Sequence, residues 1–351
     1  LKPNADKNSV KQQKLFEWYE IAGFFVIVMA VLLLLFPEDK ILQLLKKETS
    51  NNTLTIQYIE NIRKFYKADY RFLFLLVEKY LQSGEIEKAR KVIDDLKENY
   101  FDTETKKILL LEYNLEKTKY FSSRKDRDKT RKNLKKILYT FYKNAEKKED
   151  YRFVYKEALS FSFFDIAMKA VERLIESGNK IFWLNQAASI ALQNSDFNKS
   201  EEFYKELLKI DPKNRKKYLK RLASLMVQTS KHKRATEYYE KLAALDREKS
   251  LLWYEKGALT ALAGGLYGKA SKLYIEAMKQ SKKGARKIYF LKALNSLLSG
   301  NRTKMAANLI KRYGMEFAND KETAKSMIKA ALGAGETKLA RKISVKLMEK
   351  Y

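Results

Sequence analysis

Residues 181–214 read IFWLNQAASIALQNSDFNKSEEFYKELLKIDPKN. A run with apolar residues at helical spacing stops at the polar turn Ser195-Asp196, a second run starts at Phe197, and Asp211-Pro212 closes it. Two antiparallel helices are predicted. The same pattern recurs. A short polar turn comes before a small residue near a helix start at Ala89, Ala167, Ser200, Ala235, Ala270, Met305 and Ala340. The intervals are 78, 33, 35, 35, 35 and 35 residues. The first fits two longer repeats, with the extra residues in a loop around Ser122 to Asp128.

Other positions keep this register. Ala188, Ala223, Ala258 and Ala293 lie twelve residues before their anchors. Tyr204, Tyr239 and Tyr274 lie four after, and Leu207 and Leu242 seven after. Small residues recur where two helices approach closely, and large ones where each pair fills the space beside the next. A helix pair that can bury its apolar face only against its neighbours needs this arrangement.

On Ala188, the Asp196-Phe197 turn, Ser200 in the small-residue place, Tyr204 and Pro212, the repeat resembles the tetratricopeptide repeat (TPR). The resemblance spans about residues 69 to 349. It implies an all-α, TPR-like α-solenoid, a superhelix of about eight antiparallel helix pairs over 69–351, with binding of protein partners as its use. The chain departs from the pattern in two ways: Pro212 is the single closing proline, and Met305 stands where a small residue is expected.

Composition agrees with this reading. The 351 residues hold only 3 Pro and 12 Gly, too few for the turns of a sandwich, barrel or doubly wound sheet. With no Cys and one His, thiolate metal sites, disulfides and multi-histidine centres are excluded. Lys and Arg number 72 against 43 Asp and Glu, a net charge of +29. Such a charge suggests an anionic partner, or else a Lys-rich compositional habit.

Ahead of the repeats, Ile21 to Phe36 is sixteen residues without a charge, preceded by Trp18-Tyr19 and stopped by Pro37. This predicts a transmembrane anchor over 15–37 behind a basic tail at 1–14, with lead-in helices at 38–68. No small-x-small cleavage site follows the run, so an uncleaved anchor is expected. The tail holds Lys2, Lys7, Lys11 and Lys14 against Asp6, while the flank after Phe36 is neutral. The positive-inside rule then gives a single-pass bacterial inner-membrane protein with a periplasmic repeat domain. The Phe-Pro-Glu-Asp-Lys exit and the stretch from Leu54 to Ile62 are similar to the start of PelB-like scaffolds of Pel exopolysaccharide export. That resemblance implies a role in biofilm formation and, as partner, a periplasmic polysaccharide-modifying enzyme. A first residue Leu1, and a last repeat without a polar capping helix, give the expectation of a longer protein.

No catalytic constellation emerges, and no enzyme, cofactor or metal is expected. Gly264-Gly265-Leu-Tyr-Gly-Lys lacks Walker spacing and falls on an inter-helix turn. His232 takes the turn place held elsewhere by Phe164, Phe197 and Tyr267, so a packed ring is expected there. Trp183 and Trp253 lie one residue from a core position, where each can pack between repeats. Asn51-Asn52-Thr53 fits a sequon, but Asn52 or Thr53 is read as a helix cap.

Two basic runs remain as candidate partner-binding patches. One contains Arg124, Lys125, Arg127, Lys129, Arg131 and Lys132. The other contains Lys213, Arg215, Lys216, Lys217, Lys220 and Arg221. The resemblance implies that Lys217 and Lys220, on a first helix, point into the repeat groove. A basic repeat protein binding nucleic acid or an anionic lipid or polymer is the alternative. No RNA-binding module is present, and the expected topology keeps the repeats from nucleic acid, so that partner is disfavoured.

Overall fold

The computed structural model describes residues 17–35, 38–48, 52–65, 69–124 and 126–349. They form helices and connecting turns, with no strand among the described residues. The chain divides into two compact units, Leu1–Ala145 and Glu146–Tyr351.

The first unit opens with α1 (Trp18–Leu35), α2 (Glu38–Lys47) and α3 (Asn52–Phe65). Helix α1 corrects the expected membrane anchor. It has 18 residues and carries Glu20 in its first turn. Its uncharged part, from Ile21, spans about 22 Å, against a hydrocarbon core of about 30 Å. No helix among the described residues is long and apolar enough to cross a membrane. That finding overturns the single-pass inner-membrane placement and the periplasmic topology built on it. The basic tail 1–14 and residues 36–37 of the exit lie outside the described residues.

Helix α4 (Tyr70–Gln82) packs against α3 and α5 (Ile86–Ser122), and α5 against α6 (Arg127–Lys143). Helix α4 buries Phe72, Leu73, Leu75, Leu76 and Val77 against Ile56, Ile59, Val92, Ile93 and Leu96. Lys79, 2% exposed, donates to the Glu48 carbonyl at 2.5 Å and to the Asn52 side chain at 3.2 Å. Lys79 therefore ties Glu48, just after α2, and Asn52, at the start of α3, to α4. Helix α5 runs 37 residues through a kink at Glu104 (φ −125°, ψ 28°). The stretch Asn99 to Glu104 has no Gly or Pro to stop a helix, so one repeat joins the next by a bend.

The second unit is a run of helix pairs. They are α7 (Lys148–Ser160) with α8 (Phe164–Glu176), α9 (Lys180–Gln193) with α10 (Phe197–Ile210), and α11 (Arg215–Gln228) with α12 (His232–Leu245). Then come α13 (Ser250–Ala263) with α14 (Tyr267–Gln280), α15 (Arg286–Ser299) with α16 (Thr303–Tyr313), and α17 (Lys321–Gly333) with α18 (Thr337–Met348). Each second helix packs on its own first helix and on the first helix of the next pair.

One backbone device sets the register. Gly84, Ser162, Ser195, Ser230, Gly265, Asn301 and Gly335 all have positive φ, between 51° and 75°. At each, the next amide bonds back across the end of the first helix, for example Asp196 N to Ala191 O at 2.8 Å and Leu266 N to Ala261 O at 2.8 Å. This is the left-handed C-terminal cap of a helix. Five residues after each lies the fully packed small residue: Ala89, Ala167, Ser200, Ala235, Ala270, Ala306 and Ala340. The expected anchor Met305 is one residue off, for it is 41% exposed while Ala306 is buried. The first helix of that pair shifts with it. Leu294 takes the place held by Ala188, Ala223 and Ala258, one residue past Ala293.

Candidate functional site

Within the second unit, side chains of consecutive first helices touch. Tyr155 donates to Gln186 at 2.8 Å and packs edge-on against Trp183. Asn185 donates to the Tyr218 hydroxyl at 3.4 Å. The Lys220 ammonium sits 5.1 Å above the Trp253 ring. Lys292 reaches Glu255 at 2.5 Å, and Tyr289 reaches it at 3.5 Å. These contacts join α7, α9, α11, α13 and α15 into one face.

Second helices are joined separately, by ion pairs. Lys199 pairs with Glu172 at 3.7 Å, and Lys269 with Glu240 at 2.6 Å. The buried Glu201 carboxylate is met by Lys205, Lys231 and Arg234. The two faces therefore differ in chemistry. Helices α9, α11, α13 and α15 carry ten basic residues and one acidic residue, Glu255. Helices α10, α12, α14 and α16 carry twelve basic and six acidic. Five of the ten first-helix cations are paired with carboxylates, Lys180 with Glu206, Lys216 with Asp246, Arg286 with Glu316, Lys287 with Asp320 and Lys292 with Glu255, which leaves Arg215, Lys217, Lys220, Arg221 and Lys256 without an ion pair among the described residues.

The first-helix face also carries an apolar residue at a recurring place in three of four repeats. The third residue of α9, α11, α13 and α15 is Phe182, Lys217, Leu252 and Ile288 in turn. All four are exposed, and Val227 and Leu259 are exposed on the same helices. The sequence carried this signal at the 35-residue period, but only the helix starts bring it out.

The second basic run does not act as one patch. Lys216 donates to the buried Asp246 at 2.6 Å. Asp246 also accepts from the Trp253 indole at 2.9 Å. The Lys216 ammonium and then the indole hold the Asp246 carboxyl below its usual range. One repeat earlier, Asp211 accepts from Tyr218 at 2.6 Å and from Asn214 at 2.9 Å, and its carboxyl is lowered by those two contacts in that order. An aspartate that holds an aromatic seven residues on is thus a repeat feature, and it packs Trp253 between Lys220, Lys256 and Tyr239. Lys217 and Lys220 lie exposed on the first-helix face. Lys213, in the 3-10 turn Pro212–Asn214, and Arg221 are exposed as well. Arg215 lines a cleft between second helices together with Lys209.

In the first unit, Arg124, Arg127, Lys129, Arg131 and Lys132 are exposed, and Lys125 lies outside the described residues. Arg127 stacks 5.5 Å from the Tyr120 ring. Lys129 lines a groove of about 630 Å³ whose walls also carry Glu87, Asp94, Glu112, Glu116 and Asp126. That run therefore faces acid on one side. No cluster of three or more His, Asp or Glu among the described residues could hold a metal ion. His232 packs its ring on Gly264 of the next pair, as a turn aromatic.

No family model matches the sequence, and no curated protein matches it. Among solved structures, MamA 41-end from Desulfovibrio magneticus RS-1 is 15% identical, covering 59% of this chain and 96% of that one, with a TM-score of 0.30. A tetratricopeptide repeat protein from Parabacteroides merdae ATCC 43184 is 16% identical, covering 74% and 93%, with a TM-score of 0.28. The P58(IPK) TPR domain is 13% identical, covering 89% and 92%, with a TM-score of 0.26. At these TM-scores the likenesses carry no weight of their own. The class, a TPR-like array of helix pairs, stands on this chain's period, its left-handed turns and its buried small residues.

Proposed function

We propose that this chain is a scaffold that binds protein partners on the first-helix face of its second unit, and that the bound segment is acidic and carries apolar side chains. The observation that carries the reading is that α9, α11, α13 and α15 carry exposed Lys217, Lys220 and Lys256 without an ion pair among the described residues, together with exposed Phe182, Leu252, Leu259 and Ile288. Apolar anchors in a basic field favour an acidic segment that can bury leucine-like side chains.

A narrower reading takes the partner to be a polysaccharide-modifying enzyme of a PelB-like export system with a role in biofilm formation. Its support is the lead-in sequence Leu54 to Ile62.

The test is retention of proteins encoded beside this chain on the immobilised full chain, with and without K217E/K220E. Specific retention that weakens about tenfold in the variant is expected for two charge reversals at such an interface. Retention of none of them removes the export reading. Equal retention by the variant removes the first-helix face.

A further inference from the structure

A second surface lies between α10 and α12, over the start of α11. It is a cleft of about 690 Å³. Lys205, Lys209, Arg215 and Lys241 line it, and no acidic residue does. Its apolar lining includes Leu219, Tyr238 and Leu245, of which Leu245 is 48% exposed. Several neighbouring acids are engaged: Glu201 by Arg234 and Lys205, Glu206 by Lys180 at 2.7 Å, Glu240 by Lys269 at 2.6 Å, and Asp246 by Lys216. Lys209 and Arg215 make no ion pair with any described residue. Lys209, Arg215 and Lys241 thus stand around an apolar floor without an ion pair among the described residues, while Lys205 is held by Glu201.

We infer that this cleft is a second docking site, for an acidic amphipathic helix of a partner protein, distinct from the first-helix face. Charge complementarity selects the occupant. Three unpaired cations around an apolar floor match a helix with one apolar stripe flanked by carboxylates. A nucleic-acid strand needs open aromatic faces for its bases. Tyr238 is buried, with the Lys241 ammonium 5.5 Å above its ring, and offers no such face. The Lys209–Arg221 run therefore supplies two surfaces: Lys209 and Arg215 serve the cleft, and Lys217 and Lys220 serve the first-helix face.

The probe is a fluorescein-labelled amphipathic peptide with leucines on one face and glutamates on the other, titrated into the full chain and followed by anisotropy. Its glutamine counterpart, a thymidine oligonucleotide and vesicles of phosphatidylglycerol in phosphatidylcholine run beside it. Saturable binding of the glutamate peptide is expected, weakened about tenfold by K209E/K241E and little changed by K217E/K220E. L245S removes exposed apolar surface without disturbing the core and is expected to weaken the peptide about threefold. Circular dichroism melts of the variants report that they are folded. No saturable binding, equal binding of the glutamine peptide, or equal binding by K209E/K241E overturns the inference. Loss in K217E/K220E alone moves the peptide to the first-helix face and also overturns it, while leaving the proposed function intact. Tighter binding of the oligonucleotide or of the vesicles, lost in K209E/K241E, assigns the cleft to that ligand instead.

Discussion

Seven residues with positive φ fix where each second helix begins, and four of them are not glycine: Ser162, Ser195, Ser230 and Asn301. A side chain in the left-handed region costs about 1 kcal/mol, because Cβ crowds the following carbonyl. Ser230→Gly and Ser195→Gly are therefore expected to stabilise the chain by about 0.5–1 kcal/mol each in urea unfolding. Gly265→Ala is expected to cost about 1 kcal/mol. Gly264 is constrained differently. A Cβ there would lie 2.5 Å from the His232 Cβ, so one backbone must yield. Gly264→Ala is expected to lower stability by about 1–3 kcal/mol, while His232→Phe stays within about 1 kcal/mol, since Phe197 and Tyr267 fill the same place in neighbouring pairs. If His232→Phe proved as damaging as Gly264→Ala in the same unfolding assay, packing would not be the role of that ring.

Between pairs, two aspartates show how a helix boundary and a core aromatic are made together. Asp246 accepts from both Lys216 and the buried Trp253 indole. Asp246→Ala leaves that N–H unpaired and is expected to cost about 1–3 kcal/mol; in a Trp253→Phe background the cost is expected to shrink. Equal costs in the two backgrounds would contradict the coupling. Asp320 caps α17, accepting from the Thr323 amide at 3.1 Å, from its hydroxyl at 2.6 Å and from Lys287 at 3.0 Å. The Thr323 hydroxyl first, then Lys287 and the Thr323 amide, bring its pKa from 3.8 to about 2. A carboxyl lowered in the folded state stabilises it fully above 3.8 and loses that contribution as pH falls toward 2. The stability gap between the wild type and Asp320→Asn is therefore expected to close over that interval. A gap that stays constant down to pH 2 would contradict the capping role.

Across the whole molecule, the helical repeat was legible in the sequence because period, turn and small residues coincide at Ser200, Ala235 and Ala270. The register slipped at Met305 because one extra residue enters the chain between Ala270 and Ala306. The turn there, Gly300-Asn301, places its left-handed residue one position later than a strict 35-residue count. In the apolar run from Ile21, composition and length point different ways. Composition marks it as membrane-like, but helix α1 begins at Trp18-Tyr19-Glu20 and its uncharged length falls short. Most hidden was the use of the Lys209–Arg221 run. Adjacent residues of a helix point to different sides, so Lys216 goes to Asp246, Lys217 to the first-helix face and Arg215 to the cleft. A charge count cannot separate these.

In the proposed complex, a partner segment lies along α9, α11, α13 and α15. It is tested most directly by photo-crosslinking the full chain to its retained partner, with a benzophenone amino acid placed at Leu252, at Leu259 or, on a second helix, at Glu237. Crosslinks from Leu252 and Leu259 into a segment rich in Asp and Glu, lost in K217E/K220E, are the expected result. Crosslinks from Glu237 alone, or crosslinks at Leu252 and Leu259 that survive K217E/K220E unchanged, would contradict it.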